Sequence, residues 1–259
     1  MLDVAVIGGG IGGEHINGYA KLPERFRVTA VCDLNQDLAR NLAAQTGARS
    51  TADIDDVLAD PDIDIVDICL PPAMHVPVAI RVLETGKHAI VEKPVAGSLV
   101  EADQLIAAEA RSHGSLFPVF QYRYGKAFDQ LATLRAAGLP GRPVAATIET
   151  HWSRDKQYYA NLWRGSWSHE LGGAVLIHAI HAHDLLTQHF GAVADVAAVL
   201  TTNANPVETE DCAAISLRMA NGSLATSSIT LGAATDTTRL RFVYEHLTAE
   251  SGTAPYAPG

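Results

Sequence analysis

The chain has 259 residues, a formal net charge of −10 and a hydrophobic share of 47%. This composition is typical of a globular protein with one large domain or two small ones, and it excludes general disorder. The acidic balance argues against binding to nucleic acid or to an anionic membrane surface. The three cysteines are far apart, the start of the chain lacks a signal peptide, and no run reaches ~18 apolar residues. These features predict a soluble, cytoplasmic protein.

The first half of the chain alternates short apolar runs with amphipathic stretches. In chain order, we predict the strand Leu2–Ile7, the helix Gly12–Leu22, the strand Arg27–Cys32, the helix Gln36–Thr46, the strand Asp64–Leu70, the helix Met74–Thr85, the strand His88–Val91, the helix Leu99–His113 and the strand Leu116–Phe120. Such alternation indicates βαβ units and a parallel sheet. Residues 1–121 are therefore predicted to form one α/β domain.

The pattern changes after Gln121, where strands become grouped. We predict the helix Phe128–Ala137, the strand Val144–His151, the helix Gly173–Phe190 and the strands Val193–Thr201, Cys212–Met219, Ser223–Thr230 and Arg239–Tyr244. Grouped strands favour a second domain, residues 122–259, with α+β character and a mostly antiparallel sheet. The tail Glu245–Gly259 is polar, shows no period and is predicted to lack regular structure.

The strongest local signal is a glycine-rich turn after the first predicted strand. Gly8, Gly10 and Gly13 have the GxGxxG spacing. We expect Gly8 to permit the tight turn, Gly10 to let a pyrophosphate approach the backbone, and Gly13 to allow close packing of helix on strand. The helix N-terminus, including Ile11 and Gly12, would offer N–H groups to the phosphates. A glycine-rich turn without a ligand is the alternative.

An acidic residue follows at the spacing that dinucleotide-binding domains use. Asp33 lies 20 residues after Gly13, at the end of the second predicted strand. A carboxylate there accepts a hydrogen bond from the adenosine ribose 2′-OH and repels a 2′-phosphate. Because residues 34–37 supply no Arg or Lys, the sequence favours NAD over NADP. A helix N-cap is the alternative role, and the two are compatible.

Lys93 stands in the tripeptide Glu92-Lys93-Pro94, directly after the strand His88–Val91. Ligands of open α/β sheets bind beyond the carboxyl ends of the strands, so Lys93 is predicted to face the ligand crevice. A lysine amine partly withdrawn from water can exchange protons with a substrate hydroxyl near neutral pH. Taken alone, a lysine at a strand end is more often a solvated charge.

In combination, these motifs resemble the Gfo/Idh/MocA oxidoreductase family. In chain order they are Gly8-x-Gly10-x-x-Gly13, Asp33, Leu70-Pro71-Pro72-x-x-His75, Gly86-Lys87-His88, Glu92-Lys93-Pro94, Gly172-Gly173 before a helix with His181 and Asp184, and Glu210-Asp211. The resemblance covers nearly the whole chain. It implies a Rossmann domain that binds NAD and an α+β domain with an open sheet.

The resemblance also implies roles for particular residues. The implied cofactor contacts, beyond the glycine turn and Asp33, are Leu70, Pro71, Pro72, His75, Glu92, Lys93 and Gln121, and Tyr124 is placed among the substrate contacts. Lys93 is the implied catalytic residue. The family usually carries an Asp and, four residues later, a His on the helix after the double glycine. Here the His is His181, but Ile177 stands at the Asp position, and the neighbouring His178 is a candidate to replace that carboxylate.

His178, His181 and Asp184 are spaced to lie roughly on one face of the predicted helix. Two imidazoles and a carboxylate can bind a metal. The spacing is not that of HExxH, however, and no cysteine is nearby, so we predict no metal site. Substrate binding and proton transfer by His181 and His178 are preferred, and histidines hydrogen-bonded at a domain interface are the structural alternative.

An aromatic stretch precedes that helix and includes Trp163 and Arg164. Aromatic faces stack on the apolar faces of sugar rings, and arginine binds hydroxyls or carboxylates. Trp163 and Arg164 are therefore predicted to hold the substrate. A dimer-contact or interface loop is an equal alternative.

The sequence thus predicts an oxidoreductase that moves a hydride between NAD and a sugar, polyol or cyclitol-like substrate, with Lys93 and His181 in proton transfer. An NAD-dependent glycoside hydrolase of the same family and a non-catalytic NAD-binding regulatory protein are alternatives. The resemblance also implies a homo-oligomer, a dimer or a tetramer. Because members of the family are usually longer, we expect the second domain to be incomplete at its C-terminus.

Overall fold

The computed structural model describes residues 1–161 and 163–253. It divides into two compact units, Met1–Val119 and a second unit that begins at Phe120. Over the described ranges, no helix has both the length and the apolar character needed to cross a bilayer.

The first unit is a six-stranded parallel sheet with helices between its strands. Its elements are β1 (Leu2–Ile7), α1 (Gly9–Tyr19), β2 (Phe26–Cys32), α2 (Gln36–Thr46), β3 (Arg49–Thr51), α3 (Ile54–Leu58), β4 (Ile65–Ile68), α4 (His75–Glu84), β5 (His88–Val91), α5 (Leu99–Glu109) and β6 (Leu116–Pro118). The strand order is β3-β2-β1-β4-β5-β6. The order reverses between β1 and β4, and ligands of such sheets bind beyond the strand ends at this point.

Both faces of this sheet are buried, which explains its continuously apolar strands. In β1, Val4 and Val6 belong to the core cluster that contains Ile16, whereas Ala5 and Ile7 belong to the cluster on the other face. Local signals define α2: the Asn35 side chain accepts a hydrogen bond from the Leu38 N–H, and the helix ends at a left-handed glycine.

The second unit is a mixed six-stranded sheet with one covered face. Its elements are α6 (Lys126–Ala136), β7 (Pro143–Ser153), α7 (Trp167–Glu170), a π-helical turn (Ala174–His178), α8 (Ile180–Phe190), β8 (Val193–Thr201), β9 (Cys212–Met219), β10 (Leu224–Thr230), β11 (Gly232–Tyr244) and β12 (Thr248–Glu250). The order is β12-β11-β7-β10-β9-β8, in which only β7 and β10 pair in parallel.

Helix α8 covers one face of this sheet. Leu185 and Phe190 of the helix belong to one core cluster with Ile148 and Phe242 of the sheet. The opposite face carries Thr147, Ala214 and other small or polar residues in a shallow depression. The predicted fold class, a Rossmann domain followed by an α+β domain with an open, mostly antiparallel sheet, is confirmed.

Several element boundaries differ from those predicted. Helix α1 begins at Gly9 rather than Gly12, because the glycine turn itself forms the first helical turn despite low helix propensity. The predicted helix Gly173–Phe190 is divided into the π-helical turn and α8. Part of the supposedly irregular tail forms β12, which pairs with β11, while residues 254–259 of that tail lie outside the described ranges.

Candidate cofactor and substrate sites

The glycine turn between β1 and α1 is shaped by steric limits at single positions. Gly8 has a φ of 97°, and a Cβ there would lie 2.4 Å from the carbonyl oxygen of Cys69. Gly12 packs against strand β1, where a Cβ would come within 2.8 Å of Val6 Cγ1, and Gly13 instead faces α2 at Leu42. A Cβ on Gly10 would meet nothing within 4 Å. The open side of the turn is therefore at Gly10.

Asp33 lies at the end of β2 and braces this turn. Its Oδ2 accepts a hydrogen bond from the Gly9 N–H at 2.6 Å, and its Oδ1 accepts one from the Asn35 N–H at 2.7 Å. A carboxylate offers about four acceptor positions, so two hydrogen bonds leave capacity for ribose hydroxyls. The N-cap of α2 is Asn35, not Asp33.

The open space at Gly10, the N-terminus of α1 and the carboxylate of Asp33 fit a dinucleotide on chemical grounds. Free N–H groups at the helix start suit a pyrophosphate, and Asp33 suits the ribose. All three features lie beyond the carboxyl ends of β1 and β2.

The turn Glu92-Lys93-Pro94 follows β5 and contacts the buried side chain of His75. The Lys93–Pro94 peptide bond is cis. His75 is 1% exposed, and its Nδ1 and Nε2 each lie 2.7 Å from a carbonyl oxygen, those of Pro94 and Leu70. Burial lowers the pKa of His75, although the two carbonyls favour its protonated form. His75 thus lies between the Lys93 turn and the Leu70–Pro72 segment; the neutral ring, which its lowered pKa favours, has one N–H and donates to one of the two carbonyls.

A charged cluster supports the same turn from the side of α1. His15 Nδ1 lies 2.8 Å from Asp67 Oδ2, and His15 Nε2 lies 3.2 Å from Glu92 Oε1. Asp67 is fully buried and also accepts a hydrogen bond from the Tyr19 hydroxyl at 2.8 Å. Glu92 Oε2 accepts the Lys93 backbone N–H at 3.0 Å. We call His15, Asp67 and Glu92 the His15 bridge.

The electrostatics of this cluster follow from its geometry. Burial by itself lowers the pKa of His15, but hydrogen bonds with Asp67, Cys69 and Glu92 outweigh it and raise the pKa to about 12. Burial also raises the pKa of Glu92, but His15 and Lys93 reverse this effect, so the net pKa is below its usual range. Burial raises the pKa of the Cys69 thiol to about 12, which leaves it unreactive.

In the second unit, Tyr158 brings together residues that the sequence predicted separately. Its hydroxyl lies 3.0 Å from His178 Nε2 and accepts a hydrogen bond from Arg164. The Arg164 guanidinium lies 4.2 Å from the centre of the Trp163 ring and forms an ion pair with Glu170. Trp163, Arg164 and His178 therefore form one polar and aromatic cluster around Tyr158.

His181 lies in a different environment from His178. Its ring stacks on Tyr122, with centroids 4.6 Å apart, and is 3% exposed. One turn further, Asp184 forms a two-pronged ion pair with Arg123. The π-helical turn before α8 changes the helical register, so His178 contacts Tyr158 while His181 and Asp184 contact the segment 122–123.

Three other predicted site residues, Ile11, Gln121 and Tyr124, are exposed, whereas Pro72 is buried. Ile11 is 49% exposed on α1 and Tyr124 is 81% exposed after the short helical turn Gln121–Arg123, while Gln121 is also exposed. Ile177 is buried, with 5% of its surface exposed. The structure thus groups the glycine turn with Asp33, and Glu92 and Lys93 with His75, inside the first unit.

His15, Asp67 and Tyr158 were not predicted as site residues. Asp67 carried a usable signal, because an acidic residue inside a buried apolar strand needs a partner. His15 carried none, since its partners come from β4 and from the turn after β5. Tyr158 belongs to the same aromatic stretch as Trp163, and no local pattern distinguishes it there.

The fold and these sites define a two-unit protein whose first unit is a dinucleotide-binding domain. The family model for the oxidoreductase family with an NAD-binding Rossmann fold matches residues 2–120, and the model for its C-terminal domain matches residues 128–250. The chain belongs to the Gfo/Idh/MocA family, as the sequence motifs predicted.

Individual relatives agree with this assignment. The chain is 31% identical over 228 residues to the oxidoreductase YrbE of Bacillus subtilis, covering 85% of this chain and 64% of the relative. It is 32% identical over 212 residues to the levoglucosan dehydrogenase of Pseudarthrobacter phenanthrenivorans, covering 78% and 54%. The WlbA dehydrogenase of Bordetella pertussis, solved with NADH and UDP-GlcNAcA, superimposes with a TM-score of 0.92 at 29% identity, covering 97% and 73%. The chain therefore spans less than two thirds of the length of the curated relatives it matches.

Proposed function

We propose that this protein is an NAD-dependent oxidoreductase acting on an alcohol group, or on the corresponding carbonyl, of a sugar, polyol or cyclitol-like substrate. The observation that carries the proposal is the braced Lys93 turn at the carboxyl end of β5, in the same sheet as the open Gly10 turn. The relatives named as dehydrogenases and the NADH-bound WlbA structure support the same chemistry. NAD, when bound, supplies the hydride acceptor.

In this proposal, the glycine turn, Asp33 and Lys93 of the first unit have distinct roles. Gly10 leaves room for the pyrophosphate, and the N–H groups at the start of α1 neutralise its charge. Asp33 accepts hydrogen bonds from the ribose hydroxyls and disfavours a 2′-phosphate. Lys93 takes or returns the proton of the substrate hydroxyl.

The second unit would supply the substrate contacts. In the proposal His181 shares proton transfer with Lys93. Trp163 and Arg164 offer an aromatic face and a guanidinium to a polyhydroxylated ring. Tyr158 orients both Arg164 and His178, because its hydroxyl lies between them.

The deciding experiment replaces Lys93. We expect Lys93→Met to bind NADH with an unchanged dissociation constant and to lose at least about a hundredfold in kcat, the usual contribution of a general acid–base group. Binding is measured by NADH fluorescence, and turnover is measured across a panel of sugars and cyclitols. Lys21→Met, at an exposed position of the same unit, is the matched control. Undiminished turnover in Lys93→Met would refute the role of Lys93.

Ile177 favours a second candidate, a non-catalytic NAD-binding regulatory protein. An apolar, buried side chain at this position cannot donate or accept a proton. Tight NADH binding without turnover on the whole panel would support that candidate. Release of free sugar from glycosides without net NADH would instead indicate a glycoside hydrolase.

A further inference from the structure

The His15 bridge is a buried structure for which the proposed function gives no reason. It connects three elements of the first unit: α1, the carboxyl end of β4 and the turn after β5. Asp67 is fully buried and Glu92 is 8% exposed. Buried carboxylates are costly unless a charge or several hydrogen bonds compensate them, so the bridge requires a cation at its centre.

The hydrogen-bond geometry shows that His15 is this cation. A neutral imidazole has only one N–H, yet Nδ1 faces Asp67 and Nε2 faces Glu92, and both carboxylates are acceptors. The other groups near the ring are the Cys69 thiol, 3.5 Å from Nδ1, and the Tyr19 hydroxyl, which donates to Asp67. An imidazolium therefore satisfies both carboxylates.

The bridge ends at the residue that precedes Lys93. Glu92 uses one oxygen for His15 and the other for the Lys93 backbone N–H. The charge of Glu92 also acts on Lys93, since the two side chains belong to adjacent residues and interact electrostatically. How strongly Glu92 attracts the Lys93 ammonium depends on how well His15 compensates its charge.

We propose that His15 is a positioning residue for Lys93. Through Glu92 it fixes the Lys93 turn to α1, and its positive charge reduces the negative electrostatic potential at the Lys93 ammonium. Because α1 starts at the glycine turn, the same imidazolium ties the Lys93 turn to the cofactor helix. The inference rests on the proposed function only for its effect on turnover.

The test uses His15→Gln, which keeps a polar side chain but removes the charge. The acylation rate of Lys93 is followed by mass spectrometry as a function of pH, because only the deprotonated amine reacts. We expect the midpoint of this curve to rise by about one pH unit, equivalent to a tenfold change in proton affinity. A loosened, more exposed turn would also raise this midpoint, because exposure restores the solvation of the Lys93 ammonium. A variant that loosens the bridge without removing a charge is therefore needed to separate the two causes.

Tyr19→Phe is the matched control. It removes one hydrogen bond to Asp67 and leaves every charge of the bridge in place. We expect lower stability but an unchanged midpoint for Lys93. If His15→Gln does not fold, Asp67→Asn carries the test, because it also changes the charge of the bridge; there the midpoint should fall.

Two results would overturn the inference. One is an unchanged midpoint in a folded His15→Gln protein. The other is one equivalent of zinc in the purified protein that His15→Gln loses, since His15, Asp67 and Cys69 have ligand atoms within 4.8 Å of one another. Failure of the proposed function remains distinguishable, because the acylation midpoint requires neither a substrate nor turnover. Where turnover is found, the pH–rate profile should shift in the same direction as the midpoint.

Discussion

Asp33 has two tasks at the residue scale, since it braces Gly9 and is the proposed ribose ligand. We expect Asp33→Ser to weaken NADH binding about tenfold or more, the loss of one to two hydrogen bonds to a charged group. NADPH binding should weaken less, because the carboxylate no longer repels the 2′-phosphate. Fluorescence titration with NADH and with NADPH gives the two dissociation constants, whose ratio is compared between the variant and the unaltered protein.

Asp37→Ser is the control for this change. Asp37 lies in the first turn of α2 and is paired only with Arg40 in the described structure. Its replacement should leave both dissociation constants unchanged. An unaltered preference for NADH in Asp33→Ser would contradict the assignment of Asp33.

His183 gives a pH-dependence that can be worked out in sign. Burial lowers its pKa from 6.5 to about 4. The unfolded chain therefore binds more protons than the folded chain between these values, and stability falls as the pH falls through that window. This stabilisation is fully present above pH 6.5, and about 3 kcal/mol of it is lost by pH 4. His189 acts in the same direction, because burial and Arg135 lower its pKa to about 4.

Urea unfolding at pH 7 and pH 4.5 measures this effect. We expect a clear fall of the midpoint at the lower pH, and a smaller fall in His183→Gln. His246→Gln is the matched control, since His246 is exposed in the same unit. Equal pH-dependence in His183→Gln and in the unaltered protein would show that His183 is not responsible.

At the scale of elements, two glycines of the turn between β1 and α1 have different roles. We expect Gly8 to be needed for folding and Gly10 to be needed for cofactor binding. Gly8→Ala should destabilise the first unit by at least about 2 kcal/mol, because its positive φ and its approach to Cys69 both exclude a Cβ. Gly10→Ala should leave the melting temperature nearly unchanged, since the space around Gly10 is open.

Gly10→Ala should nevertheless weaken NADH binding by about tenfold or more, because its methyl group would occupy the proposed position of the pyrophosphate. Thermal unfolding and NADH titration of the two variants test the pair together. Wild-type affinity in Gly10→Ala would place the pyrophosphate elsewhere.

At the scale of the whole molecule, the open face of the second sheet bears on the homo-oligomer that the family resemblance implies. All nine residues of the edge strand β8 are exposed, and Val199 is 74% exposed. An apolar edge of this kind is a site for association between copies. We expect self-association at micromolar concentration, and we expect Val199→Lys to reduce it.

Val196→Lys is the matched control, because Val196 is 65% exposed on the opposite face of the same strand. Sedimentation velocity measures the degree of self-association of the unaltered protein, Val199→Lys and Val196→Lys. A monomeric unaltered protein, or equal weakening by both lysines, would contradict association through this face.

The sequence by itself determined the features that depend on local patterns. The apolar strands β1 and β5, the helix α2 between Asn35 and Gly47, and the glycine turn have signals within a few residues. The motifs around Asp33 and Lys93 are equally local, and they were sufficient to predict the family.

Only the tertiary structure decided which side chains meet. His15 contacts Asp67 and Glu92 across 52 and 77 residues of chain, and no local pattern encodes such pairs. The π-helical turn likewise separated His178 from His181, because it alters the register that a regular helix would give both residues. Periodicity predicts elements because their hydrogen bonds are local, whereas the contacts within a site depend on how distant strands are ordered in a sheet.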